Sequence, residues 1–259
     1  MTQTAQPDFL VLPDGRQIAY HKTEGTGPTV VFLGGFMSDM EGSKALALED
    51  FCRQRGQAYV RFDYSGHGKS SGRFEEGTIG RWKEDALAVV KQVTQGPLIL
   101  VGSSMGGWIG LLVALEITER VLGFVGIAAA PDFTRELMWD LYDDGIRATL
   151  QRDGVYYEPS EYSEEPYPIT MNLIQEGDHH LLFGRGGIEL NCPVRLLHGL
   201  EDRDVPPHWS QRICDNLVSD DVTITYVKKG DHRLSTEDDL RRLCQAVADL
   251  SERAGMSRG

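Results

Sequence analysis

Two adjacent serines sit in the stretch ILVGSSMGGWIG, Ile99 to Gly110. Ser104 has a glycine two residues before it, Gly102, and two after it, Gly106; Ser103 has Val101 and Met105 at those offsets. Glycines at both offsets leave room for a sharp turn that lifts the serine hydroxyl off the end of a strand. A serine hydroxyl is too weak an acid to attack a carbonyl unaided at neutral pH. It needs a base, and the base needs a carboxylate to orient it. The reaction such a set performs is acyl transfer. The chain offers seven histidines as bases, and Glu201, Asp202 and Asp204 form a compact group of acids late in the sequence. The competing reading is an ordinary strand-to-helix turn with one serine as helix cap, which requires no base or acid downstream.

These groups are separated by more than a hundred residues, so regular elements must bring them together. PLILVGS reads as a strand and MGGWIGLLVALEI as an apolar helix, which puts Ser104 at a strand-to-helix junction. FLVLPDGRQIAYHK reads as a β-hairpin around Pro-Asp-Gly. TVVFLGG, QAYVRFDYSG, VLGFVGIAAA, CPVRLLHG and VTITYV read as further strands. SKALALEDFCRQRG, IGRWKEDALAVVKQV and HWSQRICDNLV read as helices between them. A last helix spans about Ser235 to Arg253, with Ser235 and Asp238 at capping-box spacing. Strands alternating with helices imply an α/β fold: a mostly parallel twisted sheet covered by helices on both faces. The alternation stops after Pro131. Residues 132–190 carry YYEPSEYSEEPYP and no strand signal. The expected organisation is a core over 1–131, an inserted lid over 132–190, and the rest of the core over 191–259. Phe133, Leu137, Met138, Trp139, Tyr142, Tyr156 and Tyr157 either line an acyl channel there or pack the lid on the sheet.

With the serine on such a junction, the acid is expected after a late strand and the base after the last one. Glu201, Asp202 and Asp204 follow VRLLHGL, and His232 follows TITYV. Composition alone does not choose among the three carboxylates. His198 lies at a strand end and is expected to be packed or hydrogen-bonded. His179 and His180 fall in the insertion and are expected to border the pocket, whereas His21, His67 and His208 read as loop or surface residues. A developing oxyanion needs fixed N–H donors. The Met105 N–H at the helix start and the Phe36 N–H in the turn FLGGFMSD are the candidates. Gly68-Lys69-Ser70 has the tail of a phosphate-binding loop, but the required first glycine is Asp63, so nucleotide binding is rejected.

The net charge of −13 makes nucleic acid an unsuitable partner. No run of 18 uncharged apolar residues occurs, so no membrane span is expected. The N-terminal stretch MTQTAQPDFLVLPDGR has neither a basic-then-apolar leader nor an Arg-rich one, and a cytoplasmic location is expected. Cys52, Cys192, Cys214 and Cys244 form no paired motif and read as reduced, packed thiols. No ligand cluster suggests a metal.

HGLEDRDVP resembles the H-G-x-x-D-x-x-V-P stretch of α/β-hydrolases, and DYSGHGKSSG resembles their D-x-x-G-x-G-x-S turn. The first resemblance implies that Asp202 is the acid. SKALALEDFC, RFDYSGHGKSSG, VGSSMGGW, YSEEPY, NCPVRLLHGLEDRDVP and GDHR together look like the mitochondrial palmitoyl-protein thioesterase branch of that superfamily, also described as acyl-glucuronide esterases. The resemblance implies an α/β-hydrolase fold and a serine hydrolase with Ser104, His232 and Asp202. It also implies hydrolysis of acyl esters and thioesters, S-acylated proteins among them, with no cofactor. The alternatives are a generic carboxylesterase for small esters and a hydrolase-fold binding protein without catalysis.

Overall fold

The computed structural model describes residues 6–160 and 165–256. β1 (Asp8–Val11) and β2 (Gln17–Thr23) pair antiparallel, with Gly15 in the intervening turn at φ 89°. β3 (Thr26–Leu33), α1 (Ser43–Gln54), β4 (Gln57–Phe62), α2 (Ile79–Val93), β5 (Leu98–Ser103), α3 (Met105–Glu116) and β6 (Val121–Ile127) follow. After β6 the chain runs through α4 (Asp144–Asp153), β7 (Val155–Glu158), β8 (Tyr167–Thr170) and α5 (Met171–Gly177). It then re-enters the sheet with β9 (Val194–Gly199), α6 (His208–Asn216), β10 (Val222–Val227) and α7 (Glu237–Met256). The eight-stranded sheet has the order β1-β2-β4-β3-β5-β6-β9-β10. From β4 to β10 every pairing is parallel; β1 and β2 are antiparallel additions at one edge.

The period of two explains why both faces of the central strands are apolar. On β3, Val30 and Phe32 pack with Ala45 and Leu48 of α1 and with Val247 and Leu250 of α7. Val31 and Leu33 point the other way, into a cluster with Val89 of α2 and Trp108 and Ile109 of α3. On β5, Ile99 and Val101 join the first group, and Leu98 and Leu100 the second. Each such aliphatic side chain contributes roughly 1.5–3 kcal/mol on burial, so the strand that carries Ser104 at its end is among the best-anchored parts of the molecule.

Two expectations need correction. The 132–190 segment does contain strands: β7 and β8 form a two-stranded antiparallel hairpin, with Tyr156 opposite Ile169 and Glu158 opposite Tyr167. Each strand has only four residues, too few for an alternating pattern to register, and Pro168 disguises the second. The capping box of the last helix lies one residue later than the spacing suggested. Asp239 N–H donates to Thr236 Oγ1 and Thr236 N–H donates to the Asp239 carboxylate. Ser235 instead donates to the Arg233 carbonyl. Of YSEEPY, Tyr162, Ser163 and Glu164 lie outside the described residues.

Asp132 sits just after β6 in the left-handed region at φ 62°. Its buried carboxylate accepts the Leu182 and Phe183 N–H groups at 2.7 and 2.8 Å. The residues that leave the sheet after β6 are thereby clasped to those that return towards β9. Among the described residues no helix is long and apolar enough to cross a membrane.

Candidate active site

Ser104 is the residue between β5 and α3, and its backbone takes φ 54°, ψ −120°. A serine holds that conformation only where its surroundings impose it. Three main-chain bonds do so: Ser104 N–H donates to the Ile127 carbonyl, and the Ser104 carbonyl accepts from Gly107 and Ala130. The flanking glycines are sterically required. A Cβ on Gly102 would lie 2.3 Å from the Gly106 carbonyl oxygen, and one on Gly106 would lie 2.1 Å from that of Leu33.

His232 follows β10 in a turn that meets the end of the central strand β5. The Ser104 hydroxyl donates to His232 Nε2 at 3.1 Å, and His232 Nδ1–H donates to Asp202 Oδ2 at 2.9 Å. Asp202 follows β9 and is buried, whereas Glu201 and Asp204 are exposed. The other Asp202 oxygen, Oδ1, accepts the Asp204 and Val205 N–H groups at 3.0 and 2.9 Å. Burial alone would push the Asp202 carboxyl up. Hydrogen bonds from His198 and His232, the His232 charge and the Val205 N–H outweigh it and hold the group well below the ordinary carboxylate range. Asp202, Asp204 and His232 bring one possible ligand atom each within 4.8 Å of one another. Both Asp202 oxygens are already engaged and His232 spans Asp202 and Ser104, so the set suits orientation of an imidazole better than capture of a metal.

A cavity of about 350 Å³ opens beside Ser104 and His232. One wall is the β3–α1 turn, Gly35 to Asp39, continued by Ser43 and Lys44; Tyr167, Arg233 and Ser235 complete it. A Cβ on Gly35 would stand 3.5 Å from Ser104 Cβ, which shows how closely this turn approaches the serine. Phe36 N–H and Met105 N–H have no protein acceptor among the described residues. The Phe36 ring is held edge-on by Phe74, Trp82, Phe133 and Tyr167, at centroid distances of 4.9 to 6.1 Å.

Several expectations around the site shift. Phe133 and Tyr142 are buried, and Met138, Trp139 and Tyr156 pack with Tyr142 in a small core of their own; none of them lines the cavity, and Tyr157 is exposed. Among the described residues of this segment Tyr167 lines it, and its place at the start of a four-residue strand gave no warning. His180 does not border the cavity either; it pairs with Glu176 at 2.6 Å, and its carbonyl accepts from Trp108 Nε1. His67 is buried among Tyr64, Phe74 and Trp82, and burial pushes its pKa down to about 4, because its glycine-rich turn folds inward. The phosphate-loop lookalike closes on Asp63, which accepts the Met40 and Lys69 N–H groups. Sequence reasoning missed Lys44, whose ammonium donates to the Arg233 carbonyl beside His232. Burial and the Arg233 charge lower it to about 8. Nothing distinguishes it in sequence from any lysine in a first helical turn.

Comparison with known proteins agrees with this architecture. The family described as "alpha/beta hydrolase fold" matches residues 28–172. The human mitochondrial palmitoyl-protein thioesterase ABHD10 is 40% identical over 252 residues, covering 97% of this chain and 82% of the relative. The solved structure of α/β hydrolase domain-containing protein 10 from mouse superposes with a TM-score of 0.89 at 37% identity, covering 96% of this chain and 99% of that one. A solved structure from Agrobacterium vitis S4 superposes with a TM-score of 0.90 at 41% identity, covering 95% and 100%. A strained serine at the end of a parallel strand, with relatives matched along nearly its whole length, leaves one assignment: the chain is a hydrolase that belongs to the α/β-hydrolase family, in the branch of the palmitoyl-protein thioesterases.

Proposed function

We propose that this protein is a serine hydrolase that cleaves acyl esters and thioesters through an acyl-enzyme on Ser104. The observation that carries the reading is the continuous hydrogen-bonded line from Ser104 through His232 to Asp202, started by a serine held in a strained conformation. His232 Nε2 takes the hydroxyl proton as Ser104 Oγ bonds to the acyl carbon. The Phe36 and Met105 N–H groups receive the negative oxygen. The bond to the alcohol or thiol breaks, and the His232 Nε2 proton passes to the leaving atom. Water then gives a proton to Nε2 and attacks the acyl carbon; Ser104 Oγ leaves with that proton. Asp202 keeps His232 in the tautomer that presents a bare Nε2 to the serine.

The thioesterase relatives support S-acylated cysteine as a substrate. The cavity supports a second reading, a carboxylesterase for small esters, because serines, Asp39, Lys44 and Arg233 make much of its wall, and the buried Phe133 and Tyr142 of the 132–190 segment stand outside it. A fluorophosphonate probe tests the nucleophile. Wild type and Ser103→Ala become labelled, and Ser104→Ala does not; equal labelling of the two variants overturns the assignment. Turnover of an acyl-thioester series from C2 to C16 separates the substrates. A preference for C8 and longer favours the protein thioesterase, and efficient acetyl turnover favours the small-ester enzyme.

A further inference from the structure

Asp202 lies against two imidazoles, and the reading proposed above uses only one. His198 stands at the end of β9, fully buried. Its Nε2 lies 3.2 Å from Asp202 Oδ2, the same oxygen that accepts from His232, and 3.0 Å from the Val205 carbonyl oxygen. Both neighbours are acceptors, so Nε2 carries a hydrogen. The other ring nitrogen, Nδ1, then accepts from the Ser210 hydroxyl of α6 at 2.7 Å; Ser210 is also buried. The carboxylate is thus the centre of a nearly symmetric chain: Ser104, His232, Asp202, His198, Ser210. One arm ends at the cavity, the other inside the protein.

We infer that His198 and Ser210 are positioning residues for the hydrolytic reaction: the buried serine–histidine arm fixes the Asp202 carboxylate and moderates its hold on His232. This rests on the Ser104–His232–Asp202 reading. The physical argument is a division of negative charge. His198 Nε2 has one hydrogen, shared between the Val205 carbonyl at 3.0 Å and Asp202 Oδ2 at 3.2 Å. An Asp202 oxygen with that partial second donor still offers less of its charge to His232 than one that accepts from His232 alone. Removing the His198 donor therefore strengthens the attraction of Asp202 for protonated His232 and raises the pH at which His232 gives up its proton. It also frees a carboxylate whose orientation the reaction needs. Ser210 acts one step further out, by holding the tautomer that keeps hydrogen on His198 Nε2. The sequence hides this. The four-residue step from His198 to Asp202 crosses a strand end and a turn, and Ser210 lies in the following helix.

The other charged groups at the cavity are Asp39, Lys44 and Arg233, with Asp204 and Asp231 beside the Asp202 and His232 turns. All remain in place in the variants that follow. The experiment compares wild type with His198→Phe, His198→Gln and Ser210→Ala, each checked for folding by circular dichroism and thermal melting. The readout is kcat, KM and the acid limb of kcat/KM on a chromogenic ester. We expect His198→Phe to lose about 10- to 100-fold in kcat with KM within about twofold, the range typical of residues that orient a reacting group. Its acid limb moves to higher pH. Ser210→Ala shows the same signs, weaker. His198→Gln, which keeps an N–H donor, recovers part of the loss. A folded His198→Phe with wild-type kcat and acid limb overturns the inference. So does a kcat loss with an unmoved acid limb and a lowered melting temperature, which marks a purely structural role. Should His198→Phe fail to fold, the Ser210→Ala profile decides, and an unmoved acid limb there overturns the inference. Loss of fluorophosphonate labelling in Ser104→Ala is read in parallel. If that variant is still labelled, the serine mechanism itself fails; if it is not, a flat His198 series refutes only the positioning arm.

Discussion

Gly106 is two residues after the strained serine and faces the end of β3. A Cβ placed there would stand 2.1 Å from the Leu33 carbonyl oxygen and 2.4 Å from that of Gly34. Ordinary contact requires about 1 Å more. The obstructing atoms are main-chain carbonyls of the central sheet, so no side chain can turn aside. Inserting a methyl group into a close-packed site costs about 1–3 kcal/mol where neighbours adjust. With only backbone to adjust, Gly106→Ala is expected at the top of that range, about 3 kcal/mol. In a domain of this size that lowers the melting temperature by about 6–12 °C. Relief comes most readily by pushing Gly34 outward, and Gly34 leads directly into Phe36. A shift of about 1 Å in that turn moves the Phe36 N–H, the proposed oxyanion donor, off target and is expected to slow acylation about 100-fold. The control is Gly145→Ala in α4, where the added atom meets only the Asp143 side chain, at 3.2 Å. Urea unfolding gives the stability, and the initial rate of fluorophosphonate labelling gives the acylation. If Gly106→Ala unfolds at the wild-type midpoint and labels at the wild-type rate, the close approach of α3 to β3 is not what sets the turn.

Two further predictions concern the segment between β6 and β9. Burial raises the Asp132 carboxyl to about 6, with the Leu182 and Phe183 N–H groups acting against it. The folded state therefore binds that proton more tightly than the unfolded chain, whose ordinary value is 3.8. The resulting stability is complete below pH 3.8 and is lost as pH rises through about 6, an interval worth about 3 kcal/mol. Urea unfolding of Asp132→Asn from pH 4 to pH 7 should show its stability rising relative to wild type over that range; a constant difference refutes the assignment. Arg212 forms a two-pronged pair with Glu136 and lies over the Phe183 and Trp209 rings at 4.0 and 4.7 Å. Arg212→Ala should cost about 1–2 kcal/mol in a thermal melt, part of it persisting at high salt because ring contact is screened less than the ion pair; complete rescue by salt refutes the stacking contribution.

The sheet was legible because its strands are buried on both faces and announce themselves as continuous apolar runs. LILVGS and VRLLHG needed no help from context. The junction at Ser104 was legible because its glycines are forced: the atoms they avoid belong to β3 and α3 backbone, so no other residue fits. His232 was singled out by position along the chain, and the structure sets its Nε2 3.1 Å from Ser104 Oγ. Asp202 required resemblance, since Glu201 and Asp204 differ from it in orientation and burial, not in chemistry. What stayed hidden depends on contacts between distant segments. Lys44 and Tyr167 enter the cavity because the first turn of α1 and the start of β8 both border it. The inward fold of His67 depends on packing against Phe74 and Trp82, which lie beyond its own turn.

The adjacency of β6 and β9 has a consequence for how the molecule assembles. These strands pair directly, with Ile127 opposite Leu197, although about 70 residues separate them. In chain entropy such a loop is inexpensive: three doublings from a loop of about eight residues add only about 2 kcal/mol to its closure. In time it is not, because a pairing between remote segments must wait for that closure. Ser104 lies on the early side of this joint, Asp202 and His232 on the late side. The turn at Ser104 can therefore form within the early β3–β5–α3–β6 part of the chain, while Asp202 and His232 arrive together when β9 and β10 dock. An incompletely folded chain would display Ser104 without His232 and Asp202 beside it, so on the proposed mechanism hydrolytic competence should appear late in refolding, in step with closure of the sheet.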